Sequence, residues 1–420
     1  MLNELHKKIN VMKILHTSDW HLGQELMSYQ RQEQQEAFLD QLLHIAEAER
    51  PDAMVVSGDI YHQVAPSARV RQMFLQKVMA IHHALPQMTI VVITGNHDSA
   101  SQIRVHSPLW REFNVHVVGG IARLSDGSAD FERHIVAVGP DAKHPVGYVA
   151  AVPFVAAGSY PNPAGEQLDA RERISRFYAD LAKTVAERNS CGAPTVLAAH
   201  LTVSGAFDHQ LADSMVGGID SISQDALQHG FDYVALGHIH KPSTFGNGRM
   251  RYCGSPLACS FGEIDYPHSV SIVGLNGHDL PEIKEVVIAD TVPLTLFPPE
   301  PAEFGEAVER LGELPDGPCY LRLNIASNDG HAPANGEDTV AQRLAELGKS
   351  GCRFCQFRIT ASAGAGKAAA LESLTAGEMA ETKPIDLIER YFEMRQKPLS
   401  DEERKMINTA IEMVTENDAK

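Results

Sequence analysis

Five apolar runs in this chain each end in side chains that can ligate a divalent cation. The runs are Met12–Thr17, Ala53–Ser57, Ile90–Thr94, Thr195–Ala199 and Tyr233–Leu236. Their ends are Asp19-Trp20-His21, Gly58-Asp59, Gly95-Asn96-His97-Asp98, Ala199-His200 and Gly237-His238-Ile239-His240. Short runs of this kind, alternating with amphipathic stretches such as Gln30–Glu49, read as buried strands of an α/β fold. In open sheets flanked by helices, sites form at the carboxyl edge. One sheet edge therefore collects every candidate ligand.

Asp19, His21, Asp59, Asn96, His200, His238 and His240 make a set of two carboxylates, one carboxamide and four imidazoles. That is too many for one tetrahedral zinc and suits two cations sharing a carboxylate. Asp19 and His21, like His238 and His240, are spaced two apart, so on extended backbone both members of a pair leave the same face. Glycine precedes Asp59, Asn96 and His238, where the chain must turn closely around an ion cluster. The expected arrangement has Asp19, His21 and His240 on one ion, Asn96, His200 and His238 on the other, and Asp59 between them. Manganese suits these oxygens, and iron or zinc also fits the mixed donors. Two such ions about 3.5–4 Å apart lower the pKa of a bridging water and clamp phosphoester oxygens, so hydrolysis of a P–O bond is the implied chemistry. His97, left over from ligation, is placed to protonate or stabilise the leaving oxygen, with Asp98 near enough to orient its ring. Among the 20 histidines, isolated ones such as His44, His82 and His229 read as surface or hydrogen-bonded residues.

The formal net charge of −18 stands against a nucleic-acid partner, because phosphate contacts need Lys and Arg. Between Ile60 and Arg111, however, Asp98 is the only acid beside Arg69, Arg71, Lys77, Arg104 and Arg111. This window is expected to form a positive shoulder next to the metals, with Arg69, Arg71 and Arg104 contacting a DNA backbone. Alternatively, acids are absent because the helix with the stripe Val70, Phe74, Val78, Ile81 and Leu85 packs on a second subunit. No apolar run approaches the roughly 18 residues of a membrane helix. Residues 1–11 lack the apolar stretch of a secretory signal and read as an extension ahead of Met12. Six scattered cysteines suggest free thiols in a reducing cytoplasm. Cys352 and Cys355 have the spacing of half a zinc site, but no second pair accompanies them.

Residues 12–278 form the first domain, with an exposed loop at Pro161–Gln167 before a helix Asp169–Asn189. From about Leu280 the pattern changes. A strand Ile283–Ile288 leads through Pro293, Pro298, Pro299 and Pro301 to a helix Ala302–Gly312. Strand Tyr320–Ala326, helix Thr339–Lys349 and strand Arg353–Thr360 complete a small α+β domain, 279–362. Residues 363–382 read as a linker. Its AGAGKAAA lacks the first glycine of a phosphate loop, since Ala361 stands there, so no nucleotide is expected to bind this chain. The tail 383–420 carries two amphipathic helices, one marked by Ile385, Leu387, Ile388, Tyr391 and Phe392. Pro398 breaks it, and Ser400 with Glu403 caps the second, which shows Met406, Ile407, Ala410, Ile411 and Val414 on one side. Helices this short must dock, on their own domain or on a partner.

The series D-x-H, G-D, G-N-H-D, H and G-H-x-H resembles calcineurin-type metallophosphoesterases. ILHTSDWHLGQ (Ile14–Gln24), GDIYH (Gly58–His62) and RYCGSPLACSFGE (Arg251–Glu263) are similar to the SbcD family, the nuclease subunits of bacterial SbcCD complexes. The resemblance implies a layered α/β domain of two facing mixed sheets flanked by helices, with residues 279–362 as a cap that discriminates DNA substrates. It makes all seven candidates metal ligands, His97 catalytic and His62 a substrate-positioning residue. It also implies manganese-dependent cleavage of double-stranded DNA ends and hairpins in replication, recombination and repair, coupled to ATP turnover by an SbcC-type ATPase. The tail would dock on the base of that partner's coiled coil, and two copies of this chain would pair within a heterotetramer, with no membrane involved. Two other readings are a phosphatase or nucleotide phosphodiesterase for small substrates, which the acidic charge favours, and an interaction module without metals, against which the full ligand set weighs.

Overall fold

The computed structural model describes residues 11–105, 107–141, 143–204, 221–328 and 330–361, together with Arg404. The chain divides into two units between Leu294 and Thr295. The first is built on two six-stranded sheets. One runs in the order Glu282–Val287, Ser269–Asn276, Val11–Thr17, Ala53–Ser57, Thr89–Ile93, Val115–Val118; the other runs Ser243–Phe245, Met250–Tyr252, Tyr233–Gly237, Thr195–His200, Gly147–Val152, Ile135–Val138. Neighbours among Val11–Thr17, Ala53–Ser57, Thr89–Ile93 and Val115–Val118 are parallel. So are Gly147–Val152, Thr195–His200, Tyr233–Gly237 and Met250–Tyr252. Antiparallel strands close three of the four outer flanks.

Alternation along each strand decides what it touches. Met12, Ile14, Val55, Val91 and Ile93 meet Val149, Ala151, Val196, Ala198 and Ala235 between the sheets. Leu15, Met54 and Val92 point the other way, joining Phe38, Leu39 and Leu42 of the helix Gln32–Glu49 and Phe74, Val78 and Ile81 of the helix Ala68–Ala84. The far face of the second sheet is covered by Ile174, Phe177, Tyr178 and Leu181 of the helix Ala170–Arg188. Strands buried on both faces must be apolar throughout, which is why they appear as continuous runs rather than alternating patterns. The stripe on Ala68–Ala84 that was a candidate subunit contact packs into this chain's own core, with Val70 and Leu85 at its margin. The strand Glu282–Val287 adds to the first sheet beside Ser269–Asn276, so this unit continues past 278, where the sequence placed a boundary.

The second unit has a three-stranded sheet in the order Leu294–Glu303, Cys319–Ser327, Cys352–Ala361, with helices Phe304–Glu309 and Gly336–Glu346. Pro298, Pro299 and Pro301, read from the sequence as a connector, lie inside an edge strand, where a missing N–H breaks no ladder on the open side. The last two strands are parallel, joined through Gly336–Glu346. Ala307, Leu311, Leu321, Leu323, Val340 and Leu344 form its core. Cys319 and Cys352 face one another in register and are joined as a disulfide, whereas Cys191, Cys253, Cys259 and Cys355 remain thiols. The expectation of six free thiols is corrected here: residues 33 apart in sequence become lateral neighbours through strand pairing. The extension before Val11, the linker 363–382 and the helical tail 383–420, Arg404 excepted, lie outside the described residues. Among the described residues no helix is long and apolar enough to cross a membrane.

Candidate metal centre

The first sheet delivers the oxygen donors. Val11–Thr17 leads into Asp19 and His21, Ala53–Ser57 into Asp59, and Thr89–Ile93 into Asn96 and His97. The second delivers imidazoles: His200 is the last residue of its strand, and Tyr233–Gly237 leads into His238 and His240. Asp19 (φ 53°), His21 (φ 43°), Asp59 (φ 51°) and His238 (φ 97°) are left-handed. The paired ligands therefore do not share a face of extended backbone, as their spacing suggested; they converge because the chain turns sharply just beyond each strand. Such conformations cost non-glycine residues about 1–3 kcal/mol each and persist only where surroundings hold them. Here the turns hold each other: Asp19 N donates to Gly58 O at 3.0 Å, His21 N to Asp59 O at 3.0 Å and Leu22 N to Ile60 O at 2.9 Å. Asp98 adds a knot by accepting from Gly95 N (2.8 Å), Tyr61 N (2.9 Å) and Ile60 N (3.2 Å). Gly58 supplies a φ of 92°, while Gly95 is needed for space, because a Cβ there would collide with Asp59.

The donor atoms gather into two overlapping groups. His21 Nε2 lies 3.1 Å from His240 Nε2 and 3.6 Å from Asp59 Oδ2. On the other side, His200 Nε2 is 3.5 Å from the same Asp59 oxygen, and Asn96 Oδ1 is 3.0 Å from both His200 Nε2 and His238 Nδ1. Donor atoms of Asp19, His21 and Asp59 lie within 4.8 Å of one another, as do those of Asp59, His200 and His238. Asp59 belongs to both.

Charge shows what the cluster lacks. Asp19 and Asp59 are 1% and 2% exposed, and neither has a Lys or Arg ion-pair partner among the described residues. Buried carboxylates without a compensating cation are strongly unfavourable. Burial raises the pKa of Asp19; it also works against the charge on Asp59, but His200 and His21 hold that carboxyl below its usual range. Burial likewise opposes a charged His200, yet Asp59 and Asp19 outweigh it and push the imidazole up to about 9. His21 is held well below its ordinary value by burial and His240, and His238 is lowered to about 4 by burial and His200. Two carboxylates that raise the affinity of His200 for a proton, beside His21 and His238 held neutral with lone pairs to offer, make a donor set that divalent cations fit by taking the place of those protons. The buried His21 Nδ1 has no hydrogen-bond partner among the described residues.

Around this centre, His97 places Nδ1 3.0 Å from His62 O, and the two rings stack with centroids 5.7 Å apart. The His62 carbonyl, not Asp98, orients the His97 ring; the carboxylate is committed to the backbone amides named above. His62 also lines a polar cavity of about 670 Å³ with Gln24, Arg31, Gln63 and Arg69. Arg71 lines a different, smaller cavity with Phe74 and Trp110, and Arg104 Nε donates to Ala100 O. The three arginines grouped from sequence thus occupy three surroundings. A residue not singled out, Glu263, places Oε1 3.0 Å from His240 Nδ1, while its Oε2 accepts from Cys259 N at 2.8 Å. This fixes the ring so that Nε2 faces the cluster. Its only signal in the sequence was membership of the Arg251–Glu263 stretch.

A calcineurin-like phosphoesterase model matches residues 12–242, which include all seven candidate ligands. Fold and site thus define a phosphoester hydrolase that binds divalent metal. Among its relatives, the SbcD component of the SbcCD nuclease from Rhodobacter capsulatus is 33% identical over 320 residues, covering 73% of this chain and 77% of the relative. Its Bacillus subtilis counterpart is 33% identical, with 67% and 71% covered, and that of Escherichia coli K12 is 27% identical, with 76% and 79% covered. The chain belongs to the SbcD family of nuclease subunits within the calcineurin-like phosphoesterases.

Proposed function

We propose that the chain hydrolyses DNA phosphodiester bonds with two divalent ions, manganese in the native state. Asp19, His21 and His240 would hold one ion, Asn96, His200 and His238 the other, and Asp59 would bridge. The observation that carries this is the shared Asp59 oxygen, 3.6 Å from His21 Nε2 and 3.5 Å from His200 Nε2, with no lysine or arginine ion-paired to it among the described residues. Paired ions in such a site supply an activated water and a clamp on the phosphoester oxygens. His97 donates Nδ1–H to His62 O, which leaves Nε2 unengaged; in the imidazolium form, with a second proton taken from solvent on Nε2, it would pass that proton to the departing oxygen. His62 stacks on that histidine and lines the large polar cavity, which supports a role in positioning the strand.

The reading extends to exonuclease action on double-stranded ends and endonuclease action on hairpins, with ATP coupling through an SbcC-type ATPase bound by the C-terminal tail, in the cytoplasm. Pairing of two copies is supported by exposed Val64, Val105 and Leu109, which lie outside the core packing of the nearby helices. The net charge of −18 favours the second reading, a phosphodiesterase for small substrates. Purified chain with manganese should be offered a labelled linear duplex, a hairpin and an aryl phosphodiester. Duplex and hairpin cleavage supports the nuclease, turnover of the small ester alone supports the second reading, and inactivity of metal-loaded protein refutes both.

A further inference from the structure

We propose that the cleft between the free edges of the two sheets is a second contact for the phosphate backbone of duplex nucleic acid, separate from the metal cluster. The inference rests on the nuclease reading. Val115–Val118 is the last strand of the first sheet and Ile135–Val138 the last of the second. Between them lies a cavity of about 320 Å³ whose wall carries Arg111, Arg133 and Arg188 over Val117, Ile135 and Val136. None of these residues belongs to the metal centre.

The three guanidiniums differ in a way that suits an anion. Arg188 is already oriented: Nη1 donates to Glu132 Oε2 at 3.1 Å and to Ile135 O at 3.4 Å, and the group lies 6.0 Å from the Tyr148 ring centroid. Arg111 and Arg133 have no side-chain hydrogen bond or ion pair among the described residues. Among the described residues of the lining, Glu132, already engaged by Arg188, is the only acid, so two positive charges remain without an acid of the lining to pair with in a chain of net charge −18. His116 in the same wall is half-buried with Nε2 3.2 Å from Asn114 Oδ1; burial and then Arg111 hold it neutral. The ligand is therefore anionic. The floor offers valine and isoleucine, with no aromatic face or amide side chain to read a base. Guanidiniums above such a floor suit backbone phosphates, which position a duplex without reading its sequence.

The test uses the full chain with manganese and the double variant Arg111→Glu/Arg133→Glu, with Arg133→Gln as a milder second variant. Anisotropy of a labelled duplex is followed against salt, and aryl phosphodiester turnover reports on the metal centre. Each lost phosphate contact removes about 0.9 from the slope of log affinity against log salt, so the double variant should bind more weakly with a slope shallower by about 1.8. Arg133→Gln should show about half that change, and turnover of the small ester should match the wild type in both. Wild-type affinity and slope in both variants overturn the site and leave the nuclease reading standing. A mononucleotide that binds wild type and loses binding in the variants overturns the duplex as occupant. Failure of the wild type to bind or cut duplex overturns both readings.

Discussion

His16 and Asp19 belong to two buried polar clusters only three residues apart in sequence, and the same desolvation acts on both, yet the clusters are satisfied in different ways. His16 sits between the sheets with Nδ1 2.9 Å from Tyr233 OH and Nε2 3.2 Å from Ser57 Oγ. Every ring nitrogen has a neutral partner, so the imidazole stays uncharged, pushed down to about 3 by burial and then by Arg251. At the sheet edge, burial drives Asp19 toward its neutral form while His200 and His21 keep Asp59 ionised, and two imidazole nitrogens, on His21 and His240, face each other at 3.1 Å with no acceptor between them. A satisfied buried network staples two layers together. An unsatisfied, convergent one beside a cavity is a binding site awaiting charge.

The contrast breaks first at Asp59. Asp59→Asn should reduce turnover of an aryl phosphodiester by roughly 10²-fold or more, the scale of losing one preorganised charge, while the metal-free variant melts no lower than metal-free wild type. Manganese at about 100 times its Kd should stabilise wild type by about 2.7 kcal/mol and the variant by much less. If chelation left the wild-type melting temperature unchanged under those conditions, the edge cluster would not be a metal site. His16→Ala should do the reverse: a loss of about 2 kcal/mol in denaturant unfolding, because Tyr233 OH and the cavity lose their partner, with manganese stoichiometry by calorimetry unchanged. Altered stoichiometry would merge the two clusters into one functional unit.

Smaller effects sharpen the comparison. Glu263→Gln keeps the shape beside His240 but weakens the acceptor for Nδ1, so manganese affinity should fall about 10–100-fold. An unchanged affinity would reduce Glu263 to a structural partner of Cys259. The least effect is in acid. Unfolded His16 takes up a proton near 6.5 and folded His16 only near 3, so between those values the unfolded chain binds more protons and stability falls as pH drops. In His16→Gln that part of the slope between pH 6.5 and 5 should vanish, as read from urea midpoints. An identical slope in both proteins would mean that His16 is not held neutral.

Much of the scaffold could be read from the chain because strand burial is written locally. Ala53–Ser57 matches its predicted span, and the other four site strands differ by a residue at one or both ends. The proline-rich edge strand and the limit of the first unit were missed, since both depend on which strand finds a partner, and that is a long-range choice. Asp98 was read as a neighbour of the His97 ring from adjacency alone. Its carboxylate instead reaches amides 37 and 38 residues away, a partnership no local pattern encodes.

The sequence by itself determined which donor chemistries stand at the ends of which buried strands, because apolar periodicity and residue type are properties of near neighbours. Only the tertiary structure decided that carboxylates and carboxamide come from one sheet and three imidazoles from the other, that the turns carrying them are left-handed, that Glu263 fixes His240, and that Cys319 bonds Cys352. The disulfide follows from strand pairing within the second unit, and the site features follow from two sheets stacking face to face in the first, which places residues more than 200 positions apart, such as His21 and His240, within 3.1 Å.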